Sequence, residues 1–274
     1  MKEKSFQSAI IVIASKRFLT LLDLTFRDRT KMKLNIFNTP DEVVYALAEH
    51  FVQVAKESIA AGGRFSVALS GGSSPKKLYE LLASTSFADT VDWTKTYFFF
   101  GDERNVPQDD AESNYLMAKK ALFAPLYIAA DNIFAVDTSL TPNEAAQKYS
   151  EQVAEFFGDD EMSFDLILLG LGDDTHTASL FPHTAVLADV TPAVKANFLP
   201  EKQIYRITFN APLINEAKNI AFLVYGESKA IAVHHALEDE EDIDNHPAQL
   251  IDAITGEVQW FLDEAAAANL EEDY

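Results

Sequence analysis

From Met32 onward the chain alternates short apolar runs with stretches whose apolar residues recur every three to four positions. Lys33–Phe37 reads as a first short strand. Between Asp41 and Ala61, residues Val43, Val44, Leu47, Ala48, Phe51, Val54 and Ala55 share one helical face, and Gly62-Gly63 ends the pattern. Phe65–Leu69 then reads as a strand, and Pro75–Leu82 as a helix with Pro75 at its first position. Thr96–Phe100 follows as a strand, Ser113–Phe123 as a helix and Ile133–Val136 as a short strand. Thr141-Pro142-Asn143-Glu144 is a helix start, with a capping Thr, a Pro suited to the first turn and a Glu able to reach back. Strand-like runs return at 164–169, 205–209, 219–225 and 257–262, with a helix over Ser228–Leu237. Apolar strands alternating with helices predict an α/β fold. The sheet should be doubly wound and mostly parallel, with helices on both faces and room for a small extra lobe.

The 274 residues suit one large domain, and an apolar fraction of 48% supplies its core. The formal charge is −21, which argues against nucleic acid and anionic membrane surfaces as partners. An anionic substrate therefore needs a local cluster of Arg and Lys. Residues 1–31 depart from the rest. They carry seven Lys/Arg against three acids, so the remaining chain stands at −25. Their apolar run Ala9–Ala14 is shorter than a secretory core and is followed by Lys16-Arg17. They are expected to be an extension outside the fold, with the catalytic unit beginning near Met32. Zero cysteines exclude disulfides and thiolate metal sites and fit a reducing cytoplasm. No apolar stretch reaches the roughly 18 residues of a spanning helix. The acidic run Glu238–Asp244 reads as a solvated surface loop.

Four segments carry candidate chemistry. In Ser70-Gly71-Gly72-Ser73-Ser74-Pro75, a strand empties through two glycines into a helix, aiming backbone N–H groups and hydroxyls at an anion. The same segment also reads as a plain strand-to-helix turn. In Gly101-Asp102-Glu103-Arg104, three charges follow the buried run Phe98–Phe100, where they are costly unless paired or used. Ser113-Asn114 downstream reads as a helix cap. In Gly170-Leu171-Gly172-Asp173-Asp174-Thr175-His176, a carboxylate precedes an imidazole by two residues at a strand's carboxyl end, where open α/β sheets place chemistry. Fourth, Arg206 lies within a strand, and Lys229 in the first turn of a helix, where a cation is misplaced unless it meets an anion. A metal site has little support. His234 and His235, adjacent on a helix, should face different ways, and His50, His183 and His246 read as surface or loop residues.

Taken together and in order, these segments resemble the 6-phosphogluconolactonase family. The matching set is Ser70–Pro75, Gly101–Arg104, Ser113-Asn114-Tyr115, Gly170-Leu171-Gly172 and Asp174–Pro182, followed by Arg206-Ile207-Thr208 with Pro212 and Asn215. Gly226 with Lys229-Ala230 and the closing Trp260–Asp263 complete it. The resemblance implies hydrolysis of 6-phosphoglucono-1,5-lactone to 6-phosphogluconate in the oxidative pentose phosphate pathway, without metal or organic cofactor, by a cytoplasmic monomer or weak homo-oligomer. By position it makes His176 the general base, Asp174 its support and Arg104 an electrophilic substrate contact. It places substrate or its phosphate on Ser70, Gly71, Gly72, Ser73, Asp102, Asn114, Arg206 and Lys229. Two departures stand out. Thr175 replaces the family's common Gly, and Asp173 a frequent Pro; the expectation is that position 175 accepts Thr at negative φ. The alternatives are the related aminosugar-phosphate isomerases/deaminases, which share the fold and an Asp-x-His loop but differ at Arg104 and over Thr177–Pro182, and a non-catalytic sugar-phosphate sensor. The sensor needs a DNA-binding module that residues 1–31 are too short to supply.

Overall fold

The computed structural model describes residues 32–158 and 160–271. The predicted extension at 1–31 lies outside the described residues. In chain order the strands are β1 (Met32–Phe37), β2 (Phe65–Leu69), β3 (Thr96–Phe100), β4 (Asp102–Arg104), β5 (Leu166–Leu169), β6 (Val194–Leu199), β7 (Ile204–Phe209), β8 (Asn219–Val224) and β9 (Glu257–Asp263). The α-helices are α1 (Pro40–Gly62), α2 (Ser73–Leu82), α3 (Asn114–Ala118), α4 (Pro142–Phe157), α5 (Ala211–Asn215) and α6 (Ala230–Leu237).

Six strands form one parallel sheet in the order β1-β9-β8-β5-β2-β3. Its central strands read as unbroken apolar runs because both faces are covered. Alternate residues sort to opposite sides. Phe65, Val67, Phe98, Phe100, Leu166, Leu168, Ala221 and Leu223 pack with α1 and α2. Ala68, Phe99, Ile167, Ile220, Phe222 and Trp260 pack with α4 and α6 on the other side. The helix start predicted at Thr141 is present, and the same arrangement opens α1. Thr39 and Glu42 exchange bonds of 3.0 and 3.3 Å in a capping box, and both the N–H and hydroxyl of Thr141 reach the Glu144 carboxylate.

Several elements differ from expectation. The strand at 205–209 joins not the main sheet but a small antiparallel one, β4-β7-β6, and β6 is not among the predicted strands although Val194-Lys195-Ala196-Asn197-Phe198 alternates apolar and polar residues. Ile133–Val136 makes only a bridge to β3, and its apolar pattern reports packing: the Phe134 ring stacks on Phe99 at 4.3 Å. The Ser113–Phe123 helix is α-helical only through α3, then widens into a π turn over Lys119–Phe123. Helix α2 begins at Ser73, which makes Pro75 its third residue rather than its first.

Candidate active site

The chain leaves β2 for β3 on one side and later returns to β5 on the other. Connections that diverge from neighbouring strands open a crevice at their carboxyl ends. There the loops after β2, β3, β5 and β8 surround a cleft of about 380 Å³. Ser70, Gly71, Gly72, Ser73, Asp102, Arg104, His176, Arg206 and Lys229 all line it.

The wall after β2 is held from behind. The buried Tyr79 hydroxyl accepts from the Ser70 N–H at 3.0 Å and donates to the Ser70 carbonyl at 2.8 Å. Burial pushes this phenol up in pKa, so it stays neutral. Gly72, at φ 111°, is the N-cap of α2 and brings no capping side chain. Helix N-terminal N–H groups and the Ser73 and Ser74 hydroxyls thus border the cleft, an anion-binding arrangement. Gly71 is required by close approach, since a Cβ there would stand 1.9 Å from Asn114 Oδ1. Asn114 lies behind this turn rather than in the lining, and its amide donates to the Asp102 carbonyl at 2.9 Å. The cap read at Ser113-Asn114 falls on Ser113, whose hydroxyl accepts from the Leu116 N–H at 3.2 Å.

The three charges after β3 take separate tasks. Glu103 is 1% exposed and accepts N–H groups of Arg104, Asn114 and Tyr115, each at 2.8 Å. Burial outweighs these bonds and raises its pKa above the usual carboxylate range. Asp102 accepts from the Ser179 hydroxyl at 2.7 Å, tying the corner to the loop after β5. Arg104 stands directly opposite Arg206 across the β4–β7 pair and anchors one nitrogen on the Glu112 carbonyl at 2.6 Å. Like charges facing each other across strands are destabilising. Burial, then the Arg104 guanidinium, lowers the Arg206 pKa. Such a pair is tolerable where an anion joins it.

In the loop after β5, Asp174 Oδ1 accepts from the His176 backbone N–H at 3.2 Å and bonds His176 Nδ1. Burial pushes the Asp174 carboxyl up, but the His176 bond and charge prevail and hold it below the usual range. With Nδ1 engaged, Nε2 is the ring nitrogen left for a proton acceptor's work. The imidazole stacks on Phe181 at 4.0 Å. Gly172 leaves it room: a Cβ there would lie 2.0 Å from Nδ1. Thr175 adopts φ 62°, so the expectation of negative φ is overturned. This left-handed conformation is rare for a β-branched residue. The Thr175 hydroxyl lies 2.6 Å from the Asp174 carbonyl, 3.1 Å from the Asn245 carbonyl and 3.3 Å from His246 Nδ1. The Ala248 N–H bonds the Thr175 carbonyl at 3.0 Å.

The cationic cluster is larger than the sequence suggested. Lys202, on the turn between β6 and β7, joins the lining and sits 5.1 Å over the Phe181 ring. The alternation of Val194–Phe198 followed by the strand at 205–209 is the signal that could have marked the hairpin and the turn carrying Lys202. Lys229 meets an anion, but one of this chain: its Nζ is 2.6 Å from Asp173 Oδ1. His234 and His235, expected to diverge, both reach Asp239, because that residue lies just past the end of α6.

Against known proteins, residues 38–260 match the family described as Glucosamine-6-phosphate isomerases/6-phosphogluconolactonase. A 6-phosphogluconolactonase from Synechocystis sp. is 41% identical over 218 residues, covering 78% of this chain and 88% of the relative. One from Haemophilus influenzae is 36% identical, covering 84% and 96%. The structure of 6-phosphogluconolactonase from Trypanosoma cruzi superposes with a TM-score of 0.79 at 30% identity, covering 88% of this chain and 98% of that one. The chain belongs to the glucosamine-6-phosphate isomerase/6-phosphogluconolactonase family.

Proposed function

We propose that the cleft hydrolyses 6-phosphoglucono-1,5-lactone to 6-phosphogluconate. The carrying observation is that His176, backed by Asp174, shares one cleft with Arg104, Lys202, Arg206 and Lys229, in a chain of charge −21. A dianionic phosphate repays bringing those cations together, and binding energy at the phosphate holds a carbonyl remote from it in position. The lactonases from Synechocystis sp. and Haemophilus influenzae support the substrate assignment. Arg104 and Leu180-Phe181-Pro182 favour this reading over aminosugar-phosphate isomerisation.

His176 Nε2 takes a proton from water as its oxygen attacks the lactone carbonyl carbon. Negative charge moves to the carbonyl oxygen, where Arg104 stabilises it. The intermediate collapses by breaking the bond to the ring oxygen, which receives the proton back from the imidazolium. Asp174 keeps Nδ1 protonated and favours the imidazolium as it forms. Arg206, Lys229, Lys202 and the Ser70–Ser73 turn hold the phosphate. A lactone is an activated ester, so this set suffices without a covalent nucleophile. The catalytic unit runs from Met32 and needs no nucleic-acid partner, and the absence of cysteine supports a cytoplasmic location. Among the described residues no helix is long and apolar enough to cross a membrane.

The test is lactone disappearance measured against the spontaneous background, for the wild type and His176→Ala. Loss of enzymatic rate in the variant alone supports the assignment. Equal rates would sink the general-base role, and no rate in either would sink the lactonase reading.

A further inference from the structure

Just beyond α6, three imidazoles converge on one carboxylate. Asp239 Oδ2 bonds His235 Nδ1 and lies 3.9 Å from His246 Nε2, while its Oδ1 lies 3.3 Å from His234 Nε2. The His235 and His246 rings stack at 4.5 Å. One ligand atom from each of His235, Asp239 and His246 falls within 4.8 Å of the other two. All three side chains are partly buried.

The placement is built into the backbone. His235 and Asp239 stand four positions apart at the end of a helix, and His246 returns on a turn closed by its own N–H bond to the Asp242 carbonyl at 2.7 Å. Gln249, 5% exposed, staples that turn to the helix. It donates to the His235 carbonyl at 2.8 Å and accepts from the Asp242 N–H at 2.7 Å.

We propose that His235, Asp239 and His246 form a three-ligand binding site for a zinc-class divalent cation, with the fourth position left to water. Imidazole and carboxylate donors suit zinc, whereas calcium and magnesium take oxygen donors throughout. Ligand atoms of a tetrahedral zinc site lie roughly 3.3 Å apart, so small side-chain rotations close the cluster. The acidic run Glu238–Asp244 around it raises the local cation concentration. The site is separate from the catalytic pair but joined to it. His246 turns Nε2 toward Asp239 and Nδ1 toward the Thr175 hydroxyl. A ligating histidine commonly uses its second nitrogen in this way, to fix its own orientation. A bound ion would therefore hold the segment that pins Thr175, next to His176.

The experiment is titration of zinc ion into the chelator-stripped full chain, against a competing chromophoric chelator. Cobalt(II) absorbance reports the ligand geometry. The expected result is one tight equivalent, weakened at least about tenfold in both Asp239→Asn and His246→Gln and retained in His176→Ala. Far-UV circular dichroism checks that each variant is folded. If Asp239→Asn is not, His235→Gln makes the same comparison. No tight equivalent in the wild type, affinity unchanged in the folded ligand variants, or loss in His176→Ala would each overturn the proposal. Binding is read directly, so the outcome is independent of the lactonase reading.

Discussion

Thr175 offers a measurement of backbone strain inside a catalytic loop. It is 1% exposed, holds φ 62° and directs its hydroxyl at the Asn245 carbonyl and His246 Nδ1. Truncation to Ala removes a hydroxyl that donates one bond and accepts another, a loss of about 2 kcal/mol. The buried methyl adds about 0.8 kcal/mol. Ala keeps a Cβ and hence the left-handed penalty of roughly 1–2 kcal/mol, so Thr175→Ala should cost about 3 kcal/mol. Gly gives up the buried Cβ as well, at about 0.8 kcal/mol, and orders a freer chain, at roughly 0.5–1 kcal/mol, but escapes the penalty. Thr175→Gly should therefore also cost about 3 kcal/mol and match Thr175→Ala to within about 0.5 kcal/mol. At an ordinary buried helical or strand position Gly falls below Ala by roughly 1.5 kcal/mol. Urea unfolding of the three proteins, with equal m values, gives the comparison. Gly less stable than Ala by that full margin would refute the strained conformation, and a cost near zero for both would refute the hydroxyl's part in holding the loop.

Asp174→Asn removes the acceptor that keeps Nδ1 protonated, so kcat should fall by about 10²–10⁴-fold with KM little changed; a rise in KM alone would assign Asp174 to substrate binding. Gly172→Ala drives a Cβ to 2.0 Å from His176 Nδ1. It should cost far more activity than Lys95→Ala, a change at an exposed i,i+3 ion pair away from the cleft; equal rates would mean the imidazole can sit elsewhere. Burial, opposed by the N–H bonds it accepts, raises the pKa of Glu103 above its unfolded value. Between the ordinary glutamate pKa of about 4.3 and the raised one, the folded chain keeps a proton the unfolded chain releases. Stability should thus fall as pH rises through that window. Glu103→Gln should flatten this part of a pH series of urea melts, and an unchanged slope would assign it to another group.

Much of the fold and site could be read from the chain because their determinants are local. Buried parallel strands appear as continuous apolar runs, helix starts as Thr-Pro-x-Glu, and the anion turn and Asp174-x-His176 as short segments at strand ends. Parallel strands gather their carboxyl ends on one side, so segments far apart in sequence meet there without further instruction. Other features depend on partners remote in sequence. Asn114 stands behind the Ser70–Ser73 turn, with Gly71 lying over it. Lys202 arrives on the turn of the β6–β7 hairpin, and which sheet that hairpin joins is a matter of long-range pairing with β4. The left-handed backbone at Thr175 sits in a local turn closed by the Thr175 N–H on the Gly172 carbonyl at 3.0 Å, but it is pinned by Asn245, His246 and Ala248 from some seventy residues away. The sequence by itself determined the parallel α/β sheet, the Ser-Gly turn and the His176–Asp174 pair, because periodicity and strand-end chemistry are properties of contiguous residues. Only the tertiary structure decided the antiparallel β4-β7-β6 sheet, the facing Arg104 and Arg206, and the convergence on Asp239. Each of these is a pairing between distant segments, and a linear pattern of polar and apolar residues does not name its partner.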